Sequence, residues 1–472
     1  MPKKNPATPL RKAILDTPST NQAAKLSIAD RFAVGKSLRN KVSLAEQGDF
    51  ILPKKRIGII DILKKQEKNR LPSYIPIRYQ RMMESPFSFY RGAAAIMAQD
   101  LACQPSTNIN VQLCGDMHVS NFGFFATAEH KLVFGINDFD ETLPGSWEWD
   151  LKRLVASAVV ACEELGGSER TSEALVRKIV RSYREKLTEY ASMSYVNLAY
   201  EFFGERIVRD NFSKLHLKLF DQFIKKTKGQ CNLGVFEKFT DLIGKDRKFI
   251  ENPPLIQRAD FTQEGLPMRE VLEVAVSKYR KTLLADREFL FNRYILKDYV
   301  RKVVGIGSVG TICGVMYFEG SNLDDPLFLQ YKEAQESVLS PYLGSSIYQN
   351  QAHRIVVGQR LLQGAPDIFL GYAASSTKYY YVRQLRDMKG GLTFGDGGCD
   401  LEAFEDYAKM FGWALALGHA RSGDAAKIAG YLGESHQVEV AFYHFAKAYA
   451  VQNLKDYDLF CKAVNSGKLQ AT

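Results

Sequence analysis

Two short clusters of acidic and amide side chains carry the residue types that phosphate chemistry needs. Asp116 precedes Asn121 by five positions, and Asp138 and Asp140 follow a Val-, Leu- and Phe-rich stretch that ends at Ile136. Carboxylate and amide oxygens suit Mg²⁺, which needs only one or two protein carboxylates. In phosphoryl transfer one Asp orients the attacking hydroxyl, while other oxygens hold the metal ions that neutralise the phosphates. The layout therefore predicts a site for a nucleotide with Mg²⁺ or Mn²⁺.

The sequence GDMHVSN, followed by INDFDE, resembles the catalytic and metal-binding loops of the protein-kinase-like superfamily, above all its aminoglycoside and choline phosphotransferase branch. In that branch a loop of the form H-G-D-x-H-x-x-N precedes an I-D-F-x-D segment. The sequence departs from the branch at Cys114, where the branch usually has His. The resemblance implies a catalytic base at Asp116, metal ligands at Asn121, Asp138 (the principal carboxylate) and Asp140 (an accessory one), and a structural Asp at Asp150.

A second resemblance covers the chain from about Arg78 to the C-terminus. Over this range the sequence is similar to a bacterial family designated domain of unknown function 2252. That designation implies a bacterial origin and no particular activity.

A glycine-rich stretch farther along the chain predicts a cover for the phosphates. Gly305, Gly307, Ser308 and Gly310 lie in the sequence GIGSVG, a G-x-G-x-x-G pattern that is weak on its own. A dinucleotide-binding fold would continue as a helix, whereas the residues TICGVMYF that follow here predict a strand. Strand, glycine turn and strand are typical of the phosphate-covering hairpin of kinases. Lys332 ends a third predicted strand, which matches the lysine that binds the α- and β-phosphates.

Several charged residues near these motifs are candidates for supporting roles. The acidic partner of a kinase-like lysine is expected at Glu333 or Glu336, because the helix that follows offers no acid. Arg91 is either a surface residue or a brace for the acidic loop. His118 lacks a second metal-ligating neighbour, so a loop-bracing hydrogen bond is expected of it.

An H-x-R-x-x-D pattern lies near the end of the chain, at His419, Arg421 and Asp424. An ordinary kinase places its catalytic loop at this point, after the β lobe. The position five residues after Asp424 is Ala429 rather than the Asn that would bind a metal. These residues are therefore expected to buttress the site or to contact a substrate.

The order of these segments predicts an α+β, protein-kinase-like fold of two lobes that is circularly permuted. The catalytic loops precede the glycine hairpin and Lys332, whereas an ordinary kinase has the reverse order. Permutation is tolerated where the termini of a fold lie close together. The competing interpretation places a divergent first lobe in residues 28–110, although these residues look largely helical. The predicted organisation is a disordered basic tail at 1–27, a mainly helical catalytic lobe at 28–290, a β-rich nucleotide-binding lobe at 291–400, and C-terminal helices at 401–472.

Three local predictions bear on how the site is positioned. Pro72 and Pro76 predict an extended linker over residues 71–76, because proline disfavours helix at and before its own position. Apolar spacing predicts one helix over residues 87–102, directly before the strand that leads to Asp116. The β-rich lobe is predicted to hold five strands.

The net charge of +10 is concentrated at the N-terminus. Residues 1–41 hold nine Lys or Arg against two Asp, so they account for +7 of the total. The rest of the chain is nearly balanced, which argues against a basic nucleic-acid-binding face on the body. Nucleic acid is therefore not expected as a partner, and binding through the tail is the weakest functional alternative.

Cysteine usage and hydropathy predict a cytoplasmic protein without a membrane partner. The seven cysteines are scattered and lack a C-x-x-C pair, which favours thiols in a reducing compartment over a disulfide framework. No apolar run approaches the ~20 residues of a membrane span, and the N-terminus lacks the apolar core of a secretory signal.

Together these patterns predict an ATP- and Mg²⁺-dependent phosphotransferase that acts on a hydroxyl of a small molecule or a protein. A variant of this chemistry transfers AMP instead, if the nucleotide binds in the flipped orientation. The alternative from another class is a pseudokinase or nucleotide-gated binding module that keeps the fold without transfer activity. The acceptor is read by loops that one sequence does not decode, and neither its identity nor the oligomeric state is predicted.

Overall fold

The computed structural model describes residues 26–471, apart from residues 215, 230–231, 245, 260–264, 304, 376–377, 386–387, 389 and 393–398. The tail predicted at 1–27 therefore lies, except for its last two residues, outside the described residues. Helices and strands occur in largely separate blocks along the chain, which confirms the α+β class.

In the described part of the chain, five short α-helices precede the first strand. Their bounds are α1 Ile28–Ser37, α2 Ile59–Glu67, α3 Ile75–Met83, α4 Pro86–Gly92 and α5 Ala94–Leu101. No strand occurs within residues 28–109, all of which are described, so this region is largely helical as predicted.

Two local predictions in this region are wrong. Residues 71–76 are not extended, because Pro72 begins a 3₁₀ turn and Pro76 lies in the first turn of α3, where the missing N–H has no partner to lose. The single helix predicted over 87–102 is divided into α4 and α5, since the backbone of Ala93 leaves the helical conformation.

Two small antiparallel pairings carry the acidic motifs. β1 Asn110–Leu113 and β2 Phe122–Ala126 are followed by β3 Leu132–Ile136 and β4 Leu143–Ser146. β1 pairs with β4 and β2 pairs with β3, so both ends of the segment meet around a central hairpin. The backbone N–H of Asn137 donates to the carbonyl of Asn121 at 2.9 Å, which joins the two acidic loops at the base of that hairpin.

Two long helices follow, α6 Glu148–Glu164 and α7 Glu169–Ala191. α6 passes through the largest hydrophobic core, and even Asp150 and Arg153 on it are buried. The chain then continues through α8 Tyr195–Tyr200, α9 Glu205–Asp210, α10 Leu217–Lys228, α11 Asn232–Phe239, β5 Thr240–Ile243, β6 Asp246–Phe249, β7 Ile256–Gln257, α12 Met268–Arg280 and α13 Ala285–Phe291.

A six-stranded antiparallel sheet holds the glycine-rich stretch and Lys332. Its strands lie in the order β11–β12–β10–β9–β8–β7, with β8 at Ile295–Lys302, β9 at Cys313–Glu319, β10 at Pro326–Ala334, β11 at Gly371–Ala374 and β12 at Tyr379–Gln384. The five predicted strands are therefore confirmed, and β7 adds a sixth at the edge. α14 Ser340–Leu343 and α15 Gln351–Gln363 lie between β10 and β11 in the chain, and β13 Gly390–Gly391 pairs with β2.

The two faces of this sheet have different neighbours because side chains alternate along a strand. Leu329 and Tyr331 of β10 belong to a core formed with α12 and α13. Gln330 and Lys332 point to the opposite face, where Lys332 meets the acidic loops.

Three helices close the chain: α16 Leu401–Ser422, α17 Ala425–Leu432 and α18 Gln437–Asn465. They complete the largest core together with α6 and α7. The end of α16 lies beside β1, where the Ser422 hydroxyl accepts the backbone N–H of Gln112 at 3.1 Å. Within the described part of the chain, no helix has the length and apolar character that crossing a bilayer requires.

Candidate functional site

The loop after β1 presents Asp116 and is held from below by Asp150. The Asp150 carboxylate accepts the backbone N–H groups of Cys114 at 2.7 Å and Gly115 at 2.9 Å. Gly115 has a φ of +87°, and a side chain there would collide with the carbonyl of Glu141. The turn therefore requires glycine, and a buried carboxylate beneath it fixes the direction in which Asp116 points.

Asp116 itself is paired with Arg153, which α6 presents three residues after Asp150. Arg153 Nε lies 2.8 Å from Asp116 Oδ1, and the guanidinium is almost completely buried. Arg153 is in turn held by the carbonyl of Tyr90 at 3.1 Å and lies over the Tyr90 ring. One oxygen of Asp116 is thus occupied by a fixed cation, while Oδ2 faces the glycine stretch.

Asn121 clamps the two acidic loops together. Its Oδ1 accepts the backbone N–H of Asp138 at 2.7 Å, and its Nδ2 donates to the carbonyls of Asp116 and Asp138, each at 3.1 Å. The Cys114 thiol donates to the same Asp138 carbonyl at 3.1 Å. A metal ion could therefore use only the second lone pair of Asn121 Oδ1.

The Asp140 carboxylate binds three side chains of the six-stranded sheet and its glycine-rich turn. Lys332 forms an ion pair with Asp140 Oδ2, Tyr381 donates its hydroxyl to Oδ1 at 2.8 Å, and the Ser308 hydroxyl donates to Oδ2 at 3.3 Å. Burial disfavours the charged form of Lys332, but Asp138 and Asp140 outweigh it and hold the pKa of Lys332 well above its ordinary value. Lys332 is therefore a fixed cation beside both carboxylates.

The glycine stretch lies over Asp116. A Cβ atom built on Gly307 would be 4.0 Å from Asp116 Oδ2 and 3.7 Å from the carbonyl of Arg91. The tip contains a 3₁₀ turn at Ile306–Ser308. Two contacts from the N-terminal region hold it there: Arg70 Nη2 donates to the carbonyl of Gly307 at 2.9 Å, and the backbone N–H of Leu71 donates to that of Gly310 at 2.7 Å.

These groups enclose a cavity of about 40 Å³. One part of its lining is acidic and the other is basic: Asp116, Asp138, Asp140 and Glu141 against Arg70, Arg78 and Arg91. Arg91, for which a surface position and a bracing role were both open, therefore lines the site. The volume holds a group of a few heavy atoms and is far below the ~300–1,000 Å³ of pockets that enclose a whole small ligand.

Two further groups at the acidic loops have displaced pKa values. Burial lowers the pKa of His118 to about 4, so its ring is neutral at pH 7. His118 Nδ1 has no hydrogen-bond partner among the described residues, and the predicted bracing bond is not seen there. Burial raises the pKa of Glu141 to about 7, against the hydrogen bond that it accepts from the backbone N–H of Val338 at 2.7 Å.

Glu336 is not the partner of Lys332. Glu336 is exposed to solvent, and Glu333 instead pairs with Lys378 at 3.3 Å. The expectation was wrong because the lysine's acidic partner, Asp140, comes from a loop 192 residues earlier in the chain.

The H-x-R-x-x-D residues are divided among different tasks. His419 is buried, shares a hydrogen bond with the Tyr183 hydroxyl at 2.7 Å, and lies 3.3 Å from Asp150. It therefore supports the Asp116 loop through Asp150. Arg421 binds the carbonyl of Leu362 at 3.1 Å, and Asp424 caps α17, so neither of these two lines the cavity.

Several residues of the site were missed from the sequence. Arg354 on α15 holds the carbonyls of Thr142, Asp140 and Gln335 at 2.5–2.9 Å, and thereby ties the acidic loop to the strand that carries Lys332. A single Arg within the apolar run AHRIVV is the sequence feature that could have identified Arg354. Arg153 could have been found less easily, from its helical spacing after Asp150. No sequence feature pointed to Tyr381, Arg70 or Arg78.

Comparison with known proteins identifies a family and nothing closer. Residues 70–463 match the family described as "Uncharacterized protein conserved in bacteria (DUF2252)". None of the curated proteins and none of the solved structures with which the chain was compared matches it.

Proposed function

We propose that this chain, which belongs to the DUF2252 family of bacterial proteins, is an ATP- and Mg²⁺-dependent phosphotransferase with a circularly permuted, kinase-like arrangement of two lobes. The observation that carries the proposal is the meeting of two distant segments. Lys332 contacts Asp140, and Gly307 lies over Asp116, although nearly two hundred residues separate each pair. A strand–glycine–strand–lysine series above a D-x-x-x-x-N loop is the constellation that phosphoryl transfer uses.

The position of α16 supports the permutation. In an ordinary kinase the catalytic loop follows the β lobe, and here α16 follows it. The end of α16 lies against β1, which delivers the Asp116 loop: Ser422 bonds to Gln112, and a side chain at Gly423 would press on Val111 at 2.6 Å. A break in the chain between these two neighbouring points would convert the ordinary order into the present one.

The carboxylates of the acidic loops suit the Mg²⁺ that the proposal requires. Asp138 and Asp140 supply two carboxylates, which suffice for Mg²⁺ because the ion keeps several waters and takes further ligands from phosphates. Bound there, Mg²⁺ would neutralise charge on the phosphates during transfer. The described residues contain no group of three or more His, Cys, Asp or Glu arranged around a metal position, so this site needs the nucleotide to be complete.

Each residue then has a defined task in the transfer. Asp116 orients the acceptor hydroxyl and takes its proton, while Arg153 holds the carboxylate in place. The hydroxyl oxygen forms a bond to the γ-phosphorus, the bond to the β–γ bridging oxygen breaks, and ADP leaves. Lys332 pairs with the α- and β-phosphates, and the backbone of the glycine stretch covers them.

The ion pair between Lys332 and Asp140 favours one alternative as well. Asp140 lines the cavity of about 40 Å³ and holds Lys332, so a triphosphate would have to displace Asp140 from the lysine before the lysine could bind it. A pseudokinase or nucleotide-gated binding module would use such a pair as its resting state. An enzyme that transfers AMP would share the same residues.

Nucleotide binding and isotope transfer distinguish these possibilities. Calorimetry is expected to detect ATP binding only with Mg²⁺ or Mn²⁺, and Asp138→Ala is expected to abolish the metal-dependent part. Asp324→Ala, in an exposed turn of the same sheet, is the matched control. Label from γ-³²P-ATP that is recovered in orthophosphate or in a phosphorylated acceptor, with ADP as the other product, indicates phosphoryl transfer. Label incorporated from α-³²P-ATP, with release of pyrophosphate, indicates adenylyl transfer, and binding without either indicates a pseudokinase. ATP affinity that is unchanged in Asp138→Ala, with and without metal, would overturn the metal assignment.

A further inference from the structure

The lining of the cavity contains three arginines that form no ion pair with an acidic side chain of the described residues. Arg78 is 1% exposed, and its Nε and Nη1 atoms have no hydrogen-bond partner among the described residues. Its Nη2 donates to Gln66 Oε1 at 3.0 Å and to the carbonyl of Gly92 at 2.9 Å. Arg91 makes no ion pair with a described residue, and its buried Nε is likewise without a partner there. Arg70 reaches only the backbone carbonyls of Gly307 and Val309.

Two other arginines with low exposure are paired with carboxylates, whereas buried Arg354 bonds to the carbonyls of Thr142, Asp140 and Gln335. Arg56 bonds to both Asp100 and Asp456, and Arg153 bonds to Asp116. An uncompensated buried charge is costly, so proteins seldom keep one without a use. Burial lowers the pKa of Arg70 to about 9 and also lowers the pKa values of Arg78 and Arg91, as expected of cations that lack an anion.

The acidic part of the cavity does not balance these cations. Asp116 is paired with Arg153, and Asp140 is paired with Lys332. Asp138 and Glu141 remain against three arginines, and the Glu141 carboxylate already accepts the backbone N–H of Val338 at 2.7 Å. The surplus charge is positive, and it lies on α3, α4 and the turn before them rather than on the sheet that carries Lys332.

We infer that Arg70, Arg78 and Arg91 bind a phosphate group of the acceptor, so that the substrate of the proposed transfer is a phosphorylated compound with a free hydroxyl. This inference rests on the proposed function. Three guanidinium groups match the charge of a phosphate dianion better than that of a single carboxylate, and guanidinium geometry suits its oxygens. The position of Arg91 beside Asp116 would bring the acceptor's hydroxyl to the base.

The same cations select against another class of acceptor. An amine-bearing acceptor, such as those that name the aminoglycoside and choline branch, would bring a positive charge to the three arginines of the lining and be repelled. The small volume of the cavity fits a phosphate group and leaves the rest of the acceptor outside it.

The test uses inorganic phosphate as the probe and the full chain. Calorimetry is performed with and without saturating Mg²⁺ and a non-hydrolysable ATP analogue. Phosphate is expected to bind in both conditions, and acetate at least about tenfold more weakly. Arg78→Gln and Arg91→Gln are each expected to weaken phosphate binding at least about tenfold while changing affinity for the analogue less than about twofold. Arg360→Gln is the control, because Arg360 also binds a backbone carbonyl, that of Leu370 at 2.9 Å, but lies outside the cavity.

A thermal measurement separates binding from a structural role. Phosphate is expected to raise the melting midpoint of the wild type and not that of Arg91→Gln. Without phosphate, Arg91→Gln is expected to melt no lower than the wild type, since it removes an unpaired buried charge. If Arg78→Gln does not fold, Arg91→Gln alone decides.

The outcomes also separate this inference from the proposed function. Absence of phosphate binding, or competition between phosphate and the analogue with loss of both in the variants, would overturn the inference, because the arginines would then serve no ligand or the nucleotide. Stronger binding of acetate than of phosphate would overturn the choice of a phosphorylated acceptor. If the analogue never binds while phosphate binding still depends on Arg78 and Arg91, the anion site stands and the proposed function fails.

Discussion

The two walls of the cavity are held in different ways. The acidic wall, residues 114–121 and 138–141, is fixed by many short-range bonds from Asp150, Asn121 and Arg153, all within a span of forty residues. The glycine wall, residues 305–310 with Lys332, is held by Arg70, Leu71 and the pair with Asp140, each of which is nearly two hundred or more residues distant. Bonds between distant segments can open while each segment stays folded. The comparison indicates one rigid wall and one separable wall; under the proposed function the first would perform the chemistry and the second would cover the phosphates.

The largest expected effect tests whether the acidic wall performs the chemistry. Asp116→Asn keeps the shape of the side chain and removes its capacity to take a proton. Basal hydrolysis of ATP is expected to fall by on the order of 10²–10⁴ in kcat, while ATP affinity stays nearly unchanged. Asp324→Asn serves as the control, and both quantities are measured on the same preparations. Equal losses in affinity and turnover would instead make Asp116 a structural carboxylate.

The second test addresses the rigidity of the acidic wall. Asp150→Ala leaves the buried N–H groups of Cys114 and Gly115 without an acceptor, and His419 without its neighbour. The free energy of unfolding is expected to fall by about 2–4 kcal/mol, measured by urea denaturation. Asp150→Asn retains one acceptor oxygen and is expected to lose less. Equal stability of Asp150→Ala and the wild type would show that the loop is held by something else.

The same contrast explains what the sequence could predict. The residues of the acidic wall lie close together in the sequence. Asp116, Asn121 and Asp138 are separated only by a turn and one hairpin, so their spacing predicted that they would meet in the structure. The five strands themselves could also be predicted, because alternation and glycine turns are local signals.

Contacts between residues far apart in the chain could not be predicted from a local pattern. The contact between Lys332 and Asp140 joins positions 192 residues apart, and Arg70 reaches Gly307 across 237. A pairing of that range depends on how the lobes pack, which no local pattern encodes. For this reason Glu333 and Glu336, which lie close to Lys332 in the chain, were wrong choices as its partner, and Arg70 and Arg78 on the basic side of the cavity were not foreseen.

A third test concerns the separable wall. Lys332→Met removes the charge and keeps most of the volume, so ATP affinity is expected to weaken about 10–100-fold. Gly307→Val is expected to weaken it less, because a Cβ there has 3.7–4.0 Å of space and only the branches enter the cavity. Calorimetry checks both, with Lys297→Met on the exposed side of β8 as the control. ATP affinity that is unchanged in Lys332→Met would separate this wall from the nucleotide.

The smallest expected effect lies where the two walls join. Glu141 is in the acidic wall, yet its carboxylate accepts the N–H of Val338 and its carbonyl accepts the Ser337 hydroxyl, both just after the strand that carries Lys332. Its pKa is raised by burial to about 7, above the 4.5 of an unburied Glu. Between pH 4.5 and pH 7, Glu141 is therefore protonated in the folded state and ionised in the unfolded state. The contribution of Glu141 to the free energy of unfolding falls as pH rises from about 4.5 to 7 and is constant above pH 7.

In Glu141→Gln the side chain cannot ionise, yet it keeps an oxygen that accepts the Val338 N–H. The substitution therefore removes the fall in stability between pH 4.5 and pH 7. Near pH 5 the variant and the wild type are expected to be about equally stable, whereas at pH 8 the variant is expected to be more stable by about 1–2 kcal/mol. Urea denaturation across this range checks the difference, and Glu434→Gln, at an exposed position, is the control. Parallel pH profiles for Glu141→Gln and the wild type would mean that Glu141 is solvated, and that the two walls meet there less tightly than the bond to Val338 implies. A variant that gains stability at pH 8 but loses ATP turnover would show instead that the ionised carboxylate at this junction is kept for function at the expense of stability.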